Sequence, residues 1–181
     1  MLFRGRDRFE VIIAGVGGQG NVSCGIIIGK AATCYEDKFV TMTYSYGTEA
    51  RGTFARTDVL VGNYFIDFYE CQKPDVILIL HDKAYPKIKN KIAEETVVVI
   101  NQNEVEHIDK DLGRTFILPL SDMAIEIGSS QVINTIALAF IVAKTEFLSK
   151  TSLVKAVQSE YSDSKIVKLN EKALEYGFNL H

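Results

Sequence analysis

The sequence has little that would mark a metal site, a membrane span or a nucleic-acid surface. Its 181 residues contain three cysteines, Cys24, Cys34 and Cys71, widely spaced and without a C-x-x-C pair. That set supplies the ligand pairs of neither structural zinc nor an iron–sulfur cluster, and a reducing cytoplasm suits it best. The cysteines read as small core residues. A basic excess is missing as well. Twenty Lys and Arg against 23 Asp and Glu leave a formal charge of -3 and a pI near 5.7, which argues against phosphate-backbone recognition. No long apolar run is present. The most apolar stretch, Thr135 to Ala143, lies between Asn134 and Lys144 and covers about half of the ~20 residues a bilayer requires. It reads as a buried helix, and with so few polar positions part of its surface is expected against another subunit. Behind the basic residues of Met1 to Arg8 comes no apolar segment, so no targeting sequence is expected. Repeats, low-complexity tracts and Pro/Gly/Ser-rich linkers are all missing, which implies one domain over residues 1–181. With 47% hydrophobic residues the chain is no disordered polymer.

What is present is an alternation of strands and helices. Phe9 to Ala14 is a near-continuous apolar run ending in glycines, as expected of a strand buried on both faces. A helix follows over about Gly20–Cys34, then a strand rich in β-branched and aromatic residues over Phe39–Tyr46. Phe54–Val61, Gly62-Asn63 and Tyr64–Asp67 read as a β-hairpin. Asp75–Leu80, Thr96–Ile100 and Phe116–Leu118 are further strands, with a helix between the first two reaching about Ala93. The rest is helical: Ser121–Ile127, Ser130–Phe147, Ser152–Tyr161 and Asp163–Tyr176, with Gly128 and Gly177 just past helix ends. The expected fold is α/β: a Rossmann-like mixed sheet with an inserted β-hairpin and a helical C-terminal third.

Two segments carry chemistry. Gly15-Val-Gly-Gly-Gln-Gly20 fits G-x-G-x-x-G, placed after a strand and before a helix. Such a loop aims free N–H groups and the positive end of a helix at an anion, and Gly17 and Gly18 would admit a phosphate close to the backbone. The same glycines would equally serve a tight turn and close helix–strand packing. A dinucleotide enzyme also needs an acidic residue at the end of the second strand. Here that strand ends Thr43-Tyr-Ser-Tyr46, with no carboxylate before Glu49. A Walker loop fails too, since Gly29-Lys30 lacks the upstream glycine and is followed by Ala31. The second segment, Ser45-Tyr-Gly-Thr-Glu-Ala-Arg-Gly52, leaves a strand at the same edge of the sheet. Tyr46, Glu49 and Arg51 there form a candidate contact for a ligand or a partner, the plain alternative being a local Glu49–Arg51 pair worth little. His81 ends a buried strand and reads as structural or solvated.

Together these segments resemble the gamma subunit of 2-oxoacid:ferredoxin oxidoreductases. The resemblance runs through Pro74–Leu80, Val97–Asn101, the Ala124-x-x-x-Gly128 and Asn134 pattern, and Leu169-Asn-x-x-Ala173 with Gly177. The Tyr-Gly-x-Glu-x-Arg-Gly wording is most similar to 2-oxoglutarate-type subunits. Thr48 and Thr53 depart from that wording, so pyruvate and indolepyruvate types stay open, as does a free-standing nucleotide-binding oxidoreductase. The family implies a cytoplasmic complex with alpha, beta and ferredoxin-like delta subunits that makes an acyl-CoA and passes electrons to ferredoxin or flavodoxin. It implies thiamine diphosphate, iron–sulfur clusters and coenzyme A in that complex. This chain has neither a thiamine diphosphate signature nor cluster ligands, so it is expected to bind no cofactor alone and to have no catalytic residue, metal, membrane or nucleic-acid role. Its glycine loop (Gly15, Gly17, Gly18, Gln19 and Gly20) matches a segment near the coenzyme A entry of fused relatives.

Overall fold

The computed structural model describes residues 7–47, 52–106, 108 and 114–180. Six strands form its sheet: β1 (Arg8–Val16), β2 (Phe39–Tyr46), β3 (Phe54–Gly62), β4 (Val76–Ile79), β5 (Val97–Asn101) and β6 (Arg114–Leu118). Their order is β2-β3-β1-β4-β5-β6. β1, β4, β5 and β6 run parallel, and β3 lies antiparallel between β1 and β2. The helices are α1 (Asn21–Glu36), the single turn α2 (Tyr85–Ile88), α3 (Leu120–Ile127), α4 (Ile133–Thr145), α5 (Lys150–Glu160) and α6 (Ser164–Phe178). The mixed sheet and the helical C-terminal third match the expected α/β class.

The apolar runs exist because both sheet faces are covered. Val11, Ile13, Val76, Leu78, Val97 and Val99 join the core under α1, α4, α5 and α6. Their neighbours Ile12, Ile77, Ile79, Val98 and Ile100 turn to the opposite face. Each such side chain, fully withdrawn from water, is worth about 1.5–3 kcal/mol. The second face has a thinner cover: Ile66, Cys71, Ala84, Tyr85 and Ile88 from irregular chain and short turns.

Buried charge fastens that cover. Glu10 pairs with Arg8 at 2.7 Å and accepts N–H bonds from Gln72 and Lys73. Asp58 is held by the Arg56 guanidinium and accepts the Cys71 N–H at 2.8 Å. Both carboxylates are nearly withdrawn from solvent, so each needs these donors to offset its lost hydration.

Five expectations are corrected. The hairpin at 54–67 does not form, because β1 and β2 already occupy both edges of β3. Tyr64–Asp67 therefore runs as irregular chain, and the antiparallel arm of β3 is β2. The helix to Ala93 is broken into the turns Asp82–Ala84, α2 and Lys89–Lys91. Only Ala84, Tyr85 and Ile88 of that stretch are buried, too few apolar positions to sustain a stripe. Cys34 is exposed, unlike Cys24 and Cys71. Thr135 to Val142 is buried by this chain's own helices and not by a second subunit. Gly177 lies inside α6, where a Cβ would collide with the Ile136 carbonyl oxygen and come within 2.7 Å of Ala139 Cβ. It is a close-approach glycine between α4 and α6, and Gly128, with φ 121°, is the one that ends a helix.

Gly177→Ala should therefore cost about 2 kcal/mol through overpacking. Urea unfolding of the full chain measures this, and a stability equal to wild type would contradict the tight α4–α6 contact.

Candidate functional site

β1 delivers the glycine loop to the C-terminal edge of the sheet, where Leu80 N–H bonds Ala14 O at 2.8 Å. This is the point where connections diverge: α1 leads toward β2 and β3, while β4 to β6 continue the other way. Ligands of open α/β sheets gather at such a crevice.

The loop divides into a braced half and an open half. The Gln19 side chain folds back, accepting the Val16 N–H at 2.9 Å and donating to Leu80 O at 3.2 Å. A Cβ on Gly15 would run into that Gln19 amide and lie 3.1 Å from Leu80. Gly20 has φ +77°, and its Cβ position is closed by Asn134, whose Nδ2 donates to Gln19 O at 2.7 Å. Gly15, Gln19 and Gly20 thus fix the loop against β4 and α4. Gly17 and Gly18 differ, since a Cβ on either would meet nothing within 4 Å. Gly18 has φ +94°, a conformation open to glycine at little cost.

The open half faces donors. Gly17 N–H bonds Thr53 O at 3.0 Å, but among the described residues the Gly18 and Gly20 N–H groups donate to no backbone carbonyl. α1 begins at Asn21 with no side-chain cap and no acidic residue in its first turn, so its leading N–H groups have no partner within the helix. These amides and the helix dipole make a positive end.

Clefts open on both sides of the loop. One, of about 240 Å³, is lined by Gly17, Gly18, Asn21, Tyr46, Arg56 and Thr57. It brings together the two segments singled out in the sequence, for Tyr46 pairs with Ala55 and Ala55 with Gly15. The Asn21 Oδ1 and Thr57 Oγ1 atoms beside it are buried without a hydrogen-bond partner. The other cleft, of about 380 Å³, lies toward α3 and α4, with Ser23, Asn101, Ser121, Ser130 and Asn134 in its wall. Cys24 also lines it, with a thiol pushed up to about 12 by burial. It stays protonated at neutral pH and is no nucleophile.

The remaining sequence candidates separate. Glu49 and Arg51 lie outside the described residues. Tyr46 is more than half exposed, beside Tyr44 at a ring distance of 5.7 Å. His81 caps a turn, its Nδ1 accepting the Lys83 N–H at 3.1 Å. Sequence reasoning missed Asn134 as the brace of Gln19, although a polar residue opening an apolar helix was its signal. It also missed Arg56, whose pairing with Asp58 two residues on is an ordinary same-face strand contact.

Comparison with known proteins gives one answer. The family profile of pyruvate ferredoxin/flavodoxin oxidoreductase matches residues 10–180. The 2-oxoglutarate synthase subunit KorC of Methanocaldococcus jannaschii is 34% identical over 165 residues, which are 85% of this chain and 84% of that one. The crystal structure of a keto/oxoacid ferredoxin oxidoreductase gamma subunit from Geobacter sulfurreducens superposes with a TM-score of 0.86 at 29% identity, covering 96% and 95% of the two chains. The 2-oxoglutarate:ferredoxin oxidoreductase of Magnetococcus marinus, solved with 2-oxoglutarate, coenzyme A and succinyl-CoA bound, shares the fold. Its TM-score is 0.84 at 21% identity, over 95% of this chain and 30% of that one. The chain belongs to the pyruvate ferredoxin/flavodoxin oxidoreductase family, as a gamma-type subunit of a 2-oxoacid:ferredoxin oxidoreductase.

Proposed function

We propose that this chain is the accessory subunit of a 2-oxoglutarate-oxidising complex, and that its glycine loop takes the phosphates of coenzyme A. The observation that carries the reading is the contrast within the loop. Gly15 and Gly20 are closed by packing, while Gly17 and Gly18 leave their Cβ positions empty in front of an uncapped helix start. The positive φ of Gly18 calls for glycine in any case, but Gly17 has neither such a φ nor a neighbour at its Cβ position, so packing does not need it bare, whereas a phosphate approaching the backbone does. The fit to coenzyme A is one of charge and space: donors on Gly18, Gly20 and the first turn of α1, and a cleft beside them. Coenzyme A supplies a thiol that receives the acyl group. This chain's own contribution is to bind and orient the phosphate end. Arg56, held by Asp58, adds little net charge, so the helix end is the main attraction.

The 2-oxoglutarate assignment rests on the Tyr46-Gly-x-Glu-x-Arg-Gly52 wording and on the similarity to the M. jannaschii subunit. Thiamine diphosphate and the clusters are assigned to the other subunits (alpha, beta and delta), with ferredoxin or flavodoxin as acceptor. Glu49 and Arg51 are assigned to a ligand or subunit contact, the guanidinium fork suiting a carboxylate or phosphate.

Gly17→Val separates ligand from packing. In the assembled enzyme it should raise the KM for coenzyme A roughly tenfold with the melting temperature near wild type. Gly15→Val should instead lower stability, since its side chain has no room. Unchanged coenzyme A kinetics in a folded Gly17→Val complex would refute the phosphate contact.

Arg51→Ala should lower complex activity while the isolated chain melts as wild type; a lower melting temperature with normal assembly would make Arg51 an internal anchor. The assembled enzyme should show its highest kcat/KM on 2-oxoglutarate among 2-oxo acids, and the purified chain alone should oxidise none. A flavin or cluster co-purifying with the single chain would overturn the accessory role.

A further inference from the structure

The thin cover of the second sheet face ends in an unusual ribbon, Tyr64–Glu70. Ile66 is its buried anchor, and Cys71 fixes the chain just beyond it. The side chains of β2 tie it down: Thr41 Oγ1 donates to Ile66 O at 3.2 Å and Thr43 Oγ1 to Tyr69 O at 2.6 Å. At its start Asn63 N–H bonds Asp7 O at 3.0 Å. A backbone held this way still turns its rings outward. Phe65 is 74% exposed, Tyr69 67% and Phe68 57%. Phe39, on the same face of β2 as Thr41 and Thr43, is exposed beside them. The strand they flank is an edge strand, and Phe39–Tyr46 carries no charge over its eight residues. Natural edge strands are guarded by charge, proline or bulges, and contiguous exposed aromatics mark interaction sites.

The charges around the rings decide what covers them. Asp67 and Glu70 are exposed, and neither has a basic partner among the described residues. Arg8, which lies 5.7 Å from the Phe68 ring centre, is committed to Glu10. Lys73 is the one exposed cation close in sequence. A second copy docked about a two-fold axis would bring carboxylates toward carboxylates, a juxtaposition interfaces avoid. Arginines suit the patch instead, pairing with the carboxylates and stacking on the rings.

We propose that the ribbon Tyr64–Glu70 and the adjoining face of β2 are the docking surface for another subunit of the oxidoreductase, one that presents arginine side chains to Asp67, Glu70 and the exposed rings. This rests on the accessory-subunit reading above, and it assigns to that role a surface on the opposite sheet face from the α4 helix that the sequence had suggested.

The test is assembly. The tagged full-length chain, co-expressed with alpha, beta and delta subunits of the oxidoreductase from the same organism, should elute with them. Asp67→Lys/Glu70→Lys should reduce the recovered partner subunits at least about tenfold, with the isolated chain melting as wild type because both positions are exposed. Phe65→Ser should do the same and carries the test should the charge reversal fold poorly. Ile125→Ser, on α3 and 66% exposed, should leave assembly unchanged. Full assembly of both patch variants would overturn the surface and leave the subunit reading intact. A wild-type chain that assembles with none of these subunits would overturn the subunit reading itself, and the docking surface with it. An isolated chain that is a dimer, split by Phe65→Ser, would put a second copy on the patch and overturn the proposal.

Discussion

The molecule depends on one strand running against its neighbours. β3 pairs over nine residues with β1 and over eight with β2, saturating both of its edges. Without it, β2 would have no place beyond β1, and its end would not return to the glycine loop. The antiparallel pairing sets the register Tyr46–Ala55–Gly15, and this register alone brings two segments 25 or more residues apart in sequence into one cleft. It also positions Thr53 to accept the Gly17 N–H, so the loop's geometry is coupled to the strand that follows the Ser45–Gly52 segment.

The same pairing determines the division of labour between the two faces. Helices cover one face in depth, burying an aliphatic layer and the whole inner surface of α4. The other face is closed by short turns and a ribbon, held by a smaller apolar cluster and fastened by Glu10 and Asp58 with their donors. These carboxylates are buried, so removing a donor would leave charge without compensation and loosen the 71–73 segment. The loop site shows the opposite economy. Its bracing residues are neutral amides, Gln19 and Asn134, and its positive character comes from backbone dipoles. A neutral brace holds the loop without competing with an anion for those dipoles.

Much of this was legible in the sequence. Strands buried on both faces announce themselves as apolar runs, which is why β1, β4 and β5 fall within a residue or two of their expected positions; the edge strand β2 was legible instead from its β-branched and aromatic residues. The position of the glycine loop was legible because G-x-G-x-x-G stands between an apolar strand and a helix. The errors have physical causes. Tyr64–Asp67 has strand composition, but pairing is decided by which edges are free, a property of the whole sheet. Gly177 resembles a helix end, because a glycine needed for close approach and one needed for positive φ look alike in sequence. The split of the loop into braced and open glycines was invisible, since it depends on Gln19 and Asn134 meeting it from either side. The exposed ribbon was hidden by its own hydrophobicity, which sequence patterns assign to the interior.

The three cysteines differ in a way that bears on how the chain could be watched. Cys34 is exposed, while Cys24 and Cys71 are enclosed by core and by the pinned ribbon end. A thiol reagent therefore marks the outer side of α1 at once. Cys24 and Cys71 react only when the structure around them opens. Cys24 is on the buried side of α1, in the helix-covered core, and Cys71 on the thinly covered face. Their two rates of modification would time the opening of the two sheet faces separately, with no foreign probe introduced.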